Sequence, residues 1–152
     1  MKIVHMSSAH AIDDVRIFCK ECRTLASSGY EVVLVGIGDF EGMRDGVKIR
    51  SVAPARSRLE RMTKTARRVW DIALQEDAEL YHFHDPELMW TAMALRRRSK
   101  FVVYDVHENL PASVMSKDWV HPALRPLVSA GCQWAEHLAG SAADAVVVAN
   151  RS

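Results

Sequence analysis

Two stretches of the sequence decide the fold, and both end in the same way. Glu79-Leu-Tyr-His-Phe-His-Asp-Pro-Glu87 is typical of a strand that runs into the start of a helix. Lys100-Phe-Val-Val-Tyr-Asp-Val-His-Glu-Asn109 is typical of a strand that runs into a polar loop. Both strands deliver titratable side chains at their carboxyl ends. Because ligands bind at that edge of an open parallel sheet, the two stretches predict a binding site as well as a sheet.

Outward from these stretches, strands alternate with helices along the chain. The predicted strands are Lys2 to Met6, Glu31 to Ile37, Val47 to Val52, Leu80 to His84, Phe101 to Val106 and Asp144 to Ala149. The predicted helices are about Asp13 to Ser28, Arg58 to Gln75, Pro86 to Arg97 and Pro122 to about Leu138. The alternation predicts an α/β fold: a doubly wound, Rossmann-like parallel sheet with helices on both faces.

Local signals predict the ends of these elements. Gly29 suits the C-cap of the first helix. Asp85 suits the N-cap of the third helix, with Pro86 at its first position. The polar stretch Ser7 to Ile12 and the turn-rich stretch Gly38 to Gly46 are predicted to be loops.

The spacing of apolar residues predicts which helix faces are buried. On the first helix these are Val15, Phe18, Cys19, Cys22, Leu25 and Ala26. On the second they are Leu59, Met62, Ala66, Val69, Trp70 and Ala73. On the last they are Leu124, Leu127, Val128, Gly131, Ala135 and Leu138.

Composition limits the class of protein. At 152 residues, with 49% apolar and 26% charged residues, the chain is expected to form one globular domain. The net charge of +1 points to no particular partner. No apolar run is long enough to span a bilayer, and the amino terminus lacks a signal-peptide pattern. These features predict a cytoplasmic protein.

The cysteines and histidines each allow two interpretations. Cys19 and Cys22 form a C-x-x-C, but their helical spacing favours two core residues over a redox pair. His82 and His84 share one face of their strand, which together with a nearby acid suggests zinc. No third ligand follows at a fixed spacing, so the expectation is that no metal is bound.

Four blocks of sequence, taken together, resemble a known family. They are His10-x-x-Asp13-x-x-Arg16-Ile-Phe-x-Lys20-Glu21, Gly29-Tyr-Glu-Val32, His82-Phe-His-Asp-Pro-Glu-Leu88 and Tyr104-Asp-Val-His-Glu108. Their order and spacing resemble the amino-terminal half of a group 1 glycosyltransferase of the retaining, GT-B family 4. The resemblance extends from Met1 to Ala149.

The resemblance implies an activity and a domain organisation. Residues 1–152 would be a single Rossmann-like acceptor-side domain, without the carboxyl-terminal donor-binding domain expected of the family. The implied reaction moves a sugar from a nucleotide-sugar to a saccharide or lipid-linked acceptor, in bacterial cell-surface polysaccharide synthesis. It implies no cofactor and no metal in this domain, and the fragment alone is expected to be inactive. The alternative is a stand-alone binding module without catalysis.

The resemblance also assigns roles at the carboxyl ends of two predicted strands, Leu80 to His84 and Phe101 to Val106. His107 is implied to contact the donor sugar near its anomeric carbon, as an electrostatic and positional catalyst. Glu108 and Asn109 follow on the same loop, either to reach the acceptor or to form an ordinary solvated loop. His84 and Asp85 match the family's His-x-His-Asp-Pro block and are expected to bind substrate.

The loop after the first strand is a further candidate site. Many relatives have glycines here, which let backbone N–H groups approach the donor diphosphate. This chain has no glycine before Gly29, so contact with the diphosphate is not expected. His10, Asp13 and Arg16 are expected either to bind acceptor hydroxyls or to hold the loop through an Asp–Arg pair.

The start of the second helix is strongly basic. Its basic residues are Arg56, Arg58, Arg61, Lys64, Arg67 and Arg68. They predict either a solvated face or a patch that binds an anionic membrane at the inner face of the bilayer. Nucleic acid is not expected, because no aromatic residues accompany the charge.

Overall fold

A seven-stranded sheet forms the centre of the fold. The computed structural model describes residues 1–106 and 121–148. The strands are β1 (Lys2–Ala11), β2 (Glu31–Ile37), β3 (Gly42–Arg44), β4 (Val47–Val52), β5 (Leu80–Phe83), β6 (Phe101–Val106) and β7 (Ala145–Val148). Their order is β3-β4-β2-β1-β5-β6-β7, and among them only β3 pairs antiparallel, with β4. The predicted doubly wound sheet is confirmed.

Four helices connect these strands within the described residues. Helix α1 begins as a π-helix, Val15–Cys22, and continues as Arg23–Ser27; α2 joins Arg58–Glu60, Arg61–Thr65 and Ala66–Gln75. Helix α3 begins with the 3₁₀ turn Pro86–Leu88 and continues as Met89–Arg96; α4 begins with Pro122–Leu124 and continues as Arg125–Ala142.

The helices cover both faces of the sheet. Alternate residues of each strand point to opposite sides, so each strand contributes apolar side chains to both layers. Val32 and Leu34 of β2 pack against α1. Val33 and Val35, the alternating neighbours, belong to the larger core that α2, α3 and α4 complete. Phe83 belongs to that larger core and stacks on Tyr104 of β6 with ring centroids 4.6 Å apart.

The centre of the sheet is a topological switch point. From β1 the chain builds β2 and β4 on one side, then returns to place β5, β6 and β7 on the other. Helices that connect strands on the two sides diverge there, which leaves a crevice at the carboxyl ends of β1 and β5. The pairing of β1 with β5 ends at Met6 and Phe83, so the β1 residues after Met6 and the residues after Phe83 meet at that crevice.

Two of the predicted loops are wrong. Strand β1 continues to Ala11, with a bulge in its pairing to β2 after Met6. The turn-rich stretch contains the short strand β3. Asp45 and Gly46, with φ of 49° and 78°, connect it to β4. An Asp-Gly pair with two positive φ angles is a favoured two-residue hairpin turn, so the sequence did contain this signal.

The predicted helix ends and cysteine environment hold at α1. The Gly29 N–H donates to the carbonyl of Ala26, and the Tyr30 N–H donates to that of Leu25, with φ of 89° at Gly29. These are the two bonds of a Schellman cap. Cys22 lies inside the helix and is fully buried, and burial raises its pKa. The C-x-x-C is therefore part of the core.

The predicted buried faces fail at the amino-terminal ends of three helices. Val15 is exposed and Ile17 is buried instead, because the wider π-helix shifts the inward face. Leu59 and Met62 are 73% and 58% exposed, since the first turns of α2 lie beside the carboxyl ends of the strands. On α4, the exposed residues are Leu124, Leu127 and Gly131, while Ala139 and Ala142 pack against the described core.

Candidate functional site

Asp85 organises the crevice between β1 and β5. Its Oδ2 atom accepts hydrogen bonds from Ser7 Oγ and Ser8 N, both at 2.7 Å, and from Ala9 N at 3.3 Å. The carboxylate is almost fully buried. Asp85 is the N-cap residue of the helix, with Pro86 at its start, as predicted. It makes no side-chain capping bond, because the charge-assisted bonds to β1 take up its carboxylate. The 3₁₀ turn is closed by the Leu88 N–H donating to the Asp85 carbonyl.

His10 is held over this crevice between two carboxylates. Its Nε2 lies 3.6 Å from Asp85 Oδ1, and its Nδ1 lies 3.5 Å from Asp14 Oδ2. Ser7 Oγ accepts from the His10 N–H at 2.8 Å. The ring is one-third exposed, so it can meet a ligand that enters from solvent.

Asp14, and not Asp13, anchors the start of α1. Asp14 Oδ1 accepts from the N–H groups of Arg16 and Ile17, each at 2.9 Å, which caps the helix. Asp13 is exposed. The predicted pair of Asp13 with Arg16 is also replaced: an Arg16 terminal nitrogen lies 2.6 Å from Asp105 Oδ1. Arg16 thus ties α1 to β6 rather than to its own loop.

A cluster of three histidines lies under α1 next to this ion pair. The rings of His5, His82 and His84 pack with centroids 4.5 to 5.2 Å apart. His84 Nδ1 lies 3.2 Å from Asp105 Oδ2, and His84 Nε2 lies 3.0 Å from His5 Nδ1. Burial, followed by the neighbouring histidines, lowers the pKa of His5 well below its usual value. His5 is therefore a neutral imidazole.

Four residues of this region were not predicted to have a role: His5, Ser7, Glu21 and Asp105. Asp105 had a signal, because a carboxylate within an apolar strand needs a buried partner. His5 had a similar signal within β1. Ser7 and Glu21 had none, because their contacts depend on how β1, β5 and α1 pack.

A cleft opens on the β2 side of Asp85. It has a volume of about 290 Å³ and is lined by Ser8, Ala9, Ile37, Pro54, Ala55, Arg56, Ser57, Arg58 and Arg61. Arg61 lies 2.6 Å from the carboxylate of Glu87, which positions its guanidinium at the wall. Three arginines beside a partly exposed histidine suit a ligand with hydroxyl or anionic groups.

The predicted basic patch is therefore divided. Arg56, Arg58 and Arg61 line the cleft. Lys64 and Arg68 are exposed on later turns of α2, and Arg67 pairs with Asp71 at 3.0 Å. No helix in the described part of the chain is both long and apolar enough to cross a bilayer.

His107, Glu108 and Asn109 lie outside the described residues. Their roles stay predictions. His107 follows directly on Val106, the last residue of β6.

Comparison with known families agrees with the fold. The chain matches the family described as "Glycosyl transferase 4-like domain" over residues 16–152. No curated protein matches the sequence. The matched region contains Arg16, His84, Asp85 and Asp105, so it includes both carboxylates that organise the crevice. The chain therefore belongs to the glycosyl transferase 4-like family, whose activity requires a sugar donor and an acceptor.

Proposed function

We propose that this domain is the acceptor side of a retaining glycosyltransferase. The enzyme would move a sugar from a nucleotide-sugar to a saccharide or lipid-linked acceptor in bacterial cell-surface polysaccharide synthesis. The observation that carries the proposal is the arginine-lined cleft beside Asp85 and His10, at the switch point of the sheet. The retaining course and the pathway rest on the family resemblance.

The last part of β1 favours an acceptor over a diphosphate. The N–H groups of Ser8 and Ala9, which could have faced a phosphate, donate to Asp85 Oδ2 instead. The buried carboxylate would also repel a diphosphate brought close to it. A sugar hydroxyl can donate to a carboxylate and accept from an imidazole, so Asp85 and His10 suit an acceptor saccharide. The nucleotide-sugar would then bind mainly to a second Rossmann-like domain.

In this proposal His107 contacts the donor sugar. Asp105, two residues before it, is held by Arg16 and His84, which fixes this part of β6. A positioned imidazole stabilises charge in the transition state without acting as a nucleophile. Glu108 and Asn109 would reach the acceptor from the same loop.

The test is a transfer assay with nucleotide-sugar and acceptor. Residues 1–152 alone should not catalyse sugar transfer. A protein in which a donor-binding domain follows these residues should catalyse it. His107→Ala in the active protein should lower kcat by about 100-fold or more, as loss of one preorganised transition-state contact does. His137→Ala, an exposed histidine on α4, is the matched control and should have no effect.

Near wild-type turnover of His107→Ala would remove His107 from the mechanism. Ligand binding without transfer in either context would favour the alternative, a binding module without catalysis.

We also propose that α2 binds an anionic membrane surface. Leu59 and Met62 are exposed, next to Arg58, Lys64 and Arg68. This corrects the expectation that both apolar side chains pack on the sheet and are unavailable to lipid. Binding would then combine electrostatic attraction, on the order of 1 kcal/mol for each basic residue, with shallow apolar insertion.

Vesicle sedimentation across a salt series tests this surface. Wild-type protein should bind vesicles that contain anionic lipid and dissociate as salt rises. The triple variant Arg58→Glu, Lys64→Glu, Arg68→Glu should lose binding, and Lys20→Glu on the opposite face of the sheet should keep it. Absence of binding at low salt, or an unaltered triple variant, would show that the patch is only a solvated surface.

A further inference from the structure

Four potential metal ligands meet under α1. His5 lies on β1, His82 lies on β5 directly across from it, and His84 is two residues further on the same face. Glu21 reaches them from α1. One ligand atom from each of the four residues lies within 4.8 Å of the others. We propose that these residues bind a divalent transition-metal ion of the zinc class.

The distances suit a small tetrahedral ion. His5 Nδ1 and His84 Nε2 are 3.0 Å apart, and each lies 3.8 Å from Glu21 Oε2. Zinc bonds of about 2.0 to 2.2 Å place neighbouring tetrahedral ligands about 3.3 Å apart. Shifts of a few tenths of an ångström would therefore bring these three atoms to ligand distances. His82 supplies the fourth ligand.

The surrounding groups orient the ligands. Asp105 accepts from His84 Nδ1, which leaves the Nε2 lone pair of a neutral ring directed at the cluster. Arg16 binds Glu21 Oε1 at 3.2 Å and Asp105 Oδ1 at 2.6 Å. Arg16 thus holds the ligand Glu21 and the carboxylate that supports His84 in one arrangement.

Glu21 contributes a buried atom that needs a partner. Glu21 Oε2 is buried and has no hydrogen bond among the described residues. A buried carboxylate oxygen without a partner is costly, and a cation at this position would satisfy it. A hydrogen bond from His5 Nδ1 to His84 Nε2 explains their contact without a metal. It does not explain the position of Glu21 Oε2.

The sequence alone favoured no metal because a third ligand at a fixed spacing was missing. The fold supplies it from a distance: His5 is 79 positions from His84. An ion here would connect β1, β5 and α1 beneath the proposed acceptor site. It would act structurally, so this inference does not depend on the proposed reaction.

Metal titration tests the proposal with the purified chain, after removal of any histidine tag and treatment with chelator. Zn²⁺ should bind with one equivalent per chain and raise the unfolding temperature. Co²⁺ should give the visible absorption of a tetrahedral nitrogen and oxygen site. Glu21→Gln and His82→Gln should each weaken Zn²⁺ binding at least tenfold. Neither Glu21 nor His82 is fully buried, so these variants are expected to fold.

Two control variants sharpen the result. His137→Ala removes an exposed histidine from α4 and Glu31→Gln removes an exposed carboxylate from β2, so both should bind Zn²⁺ like the wild type. Circular dichroism of each metal-free variant establishes that it is folded. Absence of stoichiometric Zn²⁺ binding tighter than micromolar, or equal binding by the wild type and both cluster variants, would overturn the proposal.

Discussion

The sheet buries carboxylates in different ways at its amino edge, where the parallel strands begin, and at its carboxyl edge, where they end. At the amino edge, Glu76 accepts hydrogen bonds from Lys2 and Lys48 at 2.9 Å and from Arg50 at 2.8 Å. At the carboxyl edge, Asp85 accepts from one hydroxyl and two backbone N–H groups. The first carboxylate is surrounded by permanent cations. The second is held by neutral donors beside a partly exposed histidine.

We propose that this difference separates stability from ligand binding within one sheet. Burial by itself raises the pKa of Glu76, but bonds from its three cations outweigh this and lower the pKa to about 2. The three cations at that edge already balance the negative charge of Glu76. The carboxyl edge keeps a partly exposed histidine, an arginine-lined cleft and a histidine cluster. Groups of this kind can accept a ligand.

The largest expected effect is at Glu76. Its pKa is 4.5 ordinarily and about 2 in the fold, so ionised Glu76 stabilises the protein above pH 4.5. That contribution, about 3 kcal/mol, is lost as pH falls from 4.5 toward 2. Glu76→Gln should therefore lower the free energy of unfolding by about this amount at pH 7 and remove much of the acid dependence. Denaturant unfolding at several pH values measures both.

Glu31→Gln is the matched control at the amino edge. Glu31 also contacts Lys2, at 3.3 Å, but its side chain is 65% exposed. Its loss should cost less than about 1 kcal/mol. Equal losses for the two variants would contradict the view that burial makes the Glu76 cluster important.

The second effect is at Asp85. Asp85→Ala leaves the Ser8 N–H buried without its acceptor and should cost about 2 kcal/mol. Asp85→Asn keeps one acceptor oxygen and should cost less than about 1 kcal/mol. If the carboxyl edge serves binding, Asp85→Asn should raise the KM for acceptor more than its small loss of stability suggests. Unchanged steady-state kinetics would make Asp85 purely structural.

The smallest effect is expected along α2, which runs from the carboxyl edge to the amino edge. Leu59→Ser lies in the exposed first turns and should change the free energy of unfolding by less than about 0.5 kcal/mol. Val69→Ala, on the same helix but fully buried, should cost about 2 kcal/mol. Thermal unfolding measures both. A large loss for Leu59→Ser would show that the first turns pack as the sequence had predicted.

The strands show how much local sequence can predict. The predicted bounds of β2, β4 and β6 agree with the structure at both ends. Each is a β-branched or aromatic run bounded by turn residues or charge, so its pattern is complete within a few residues. The sequence signal for the hairpin turn at Asp45-Gly46 was equally local, so this turn could also have been predicted.

The helix faces and the site were only partly predictable. Periodicity places Leu59 and Val69 on one apolar face, but it cannot show that the sheet ends between them. Asp85 has a proper N-cap sequence, yet donors on β1, 77 and 78 positions away, take its carboxylate. Local preference failed where a long-range partner offered stronger hydrogen bonds.

The sequence by itself determined the alternation of elements, the doubly wound class and the family, and it predicted the edge of the sheet where we propose the site. These follow from patterns read over a few residues and from the order of four blocks. Only the tertiary structure decided which side chains meet: Arg16 with Asp105, Asp85 with Ser7 and Ser8 of β1, and His5 and Glu21 with His82 and His84. The reason is physical. Strand order, register and helix placement bring distant residues within a few ångströms, and no short pattern encodes those distances.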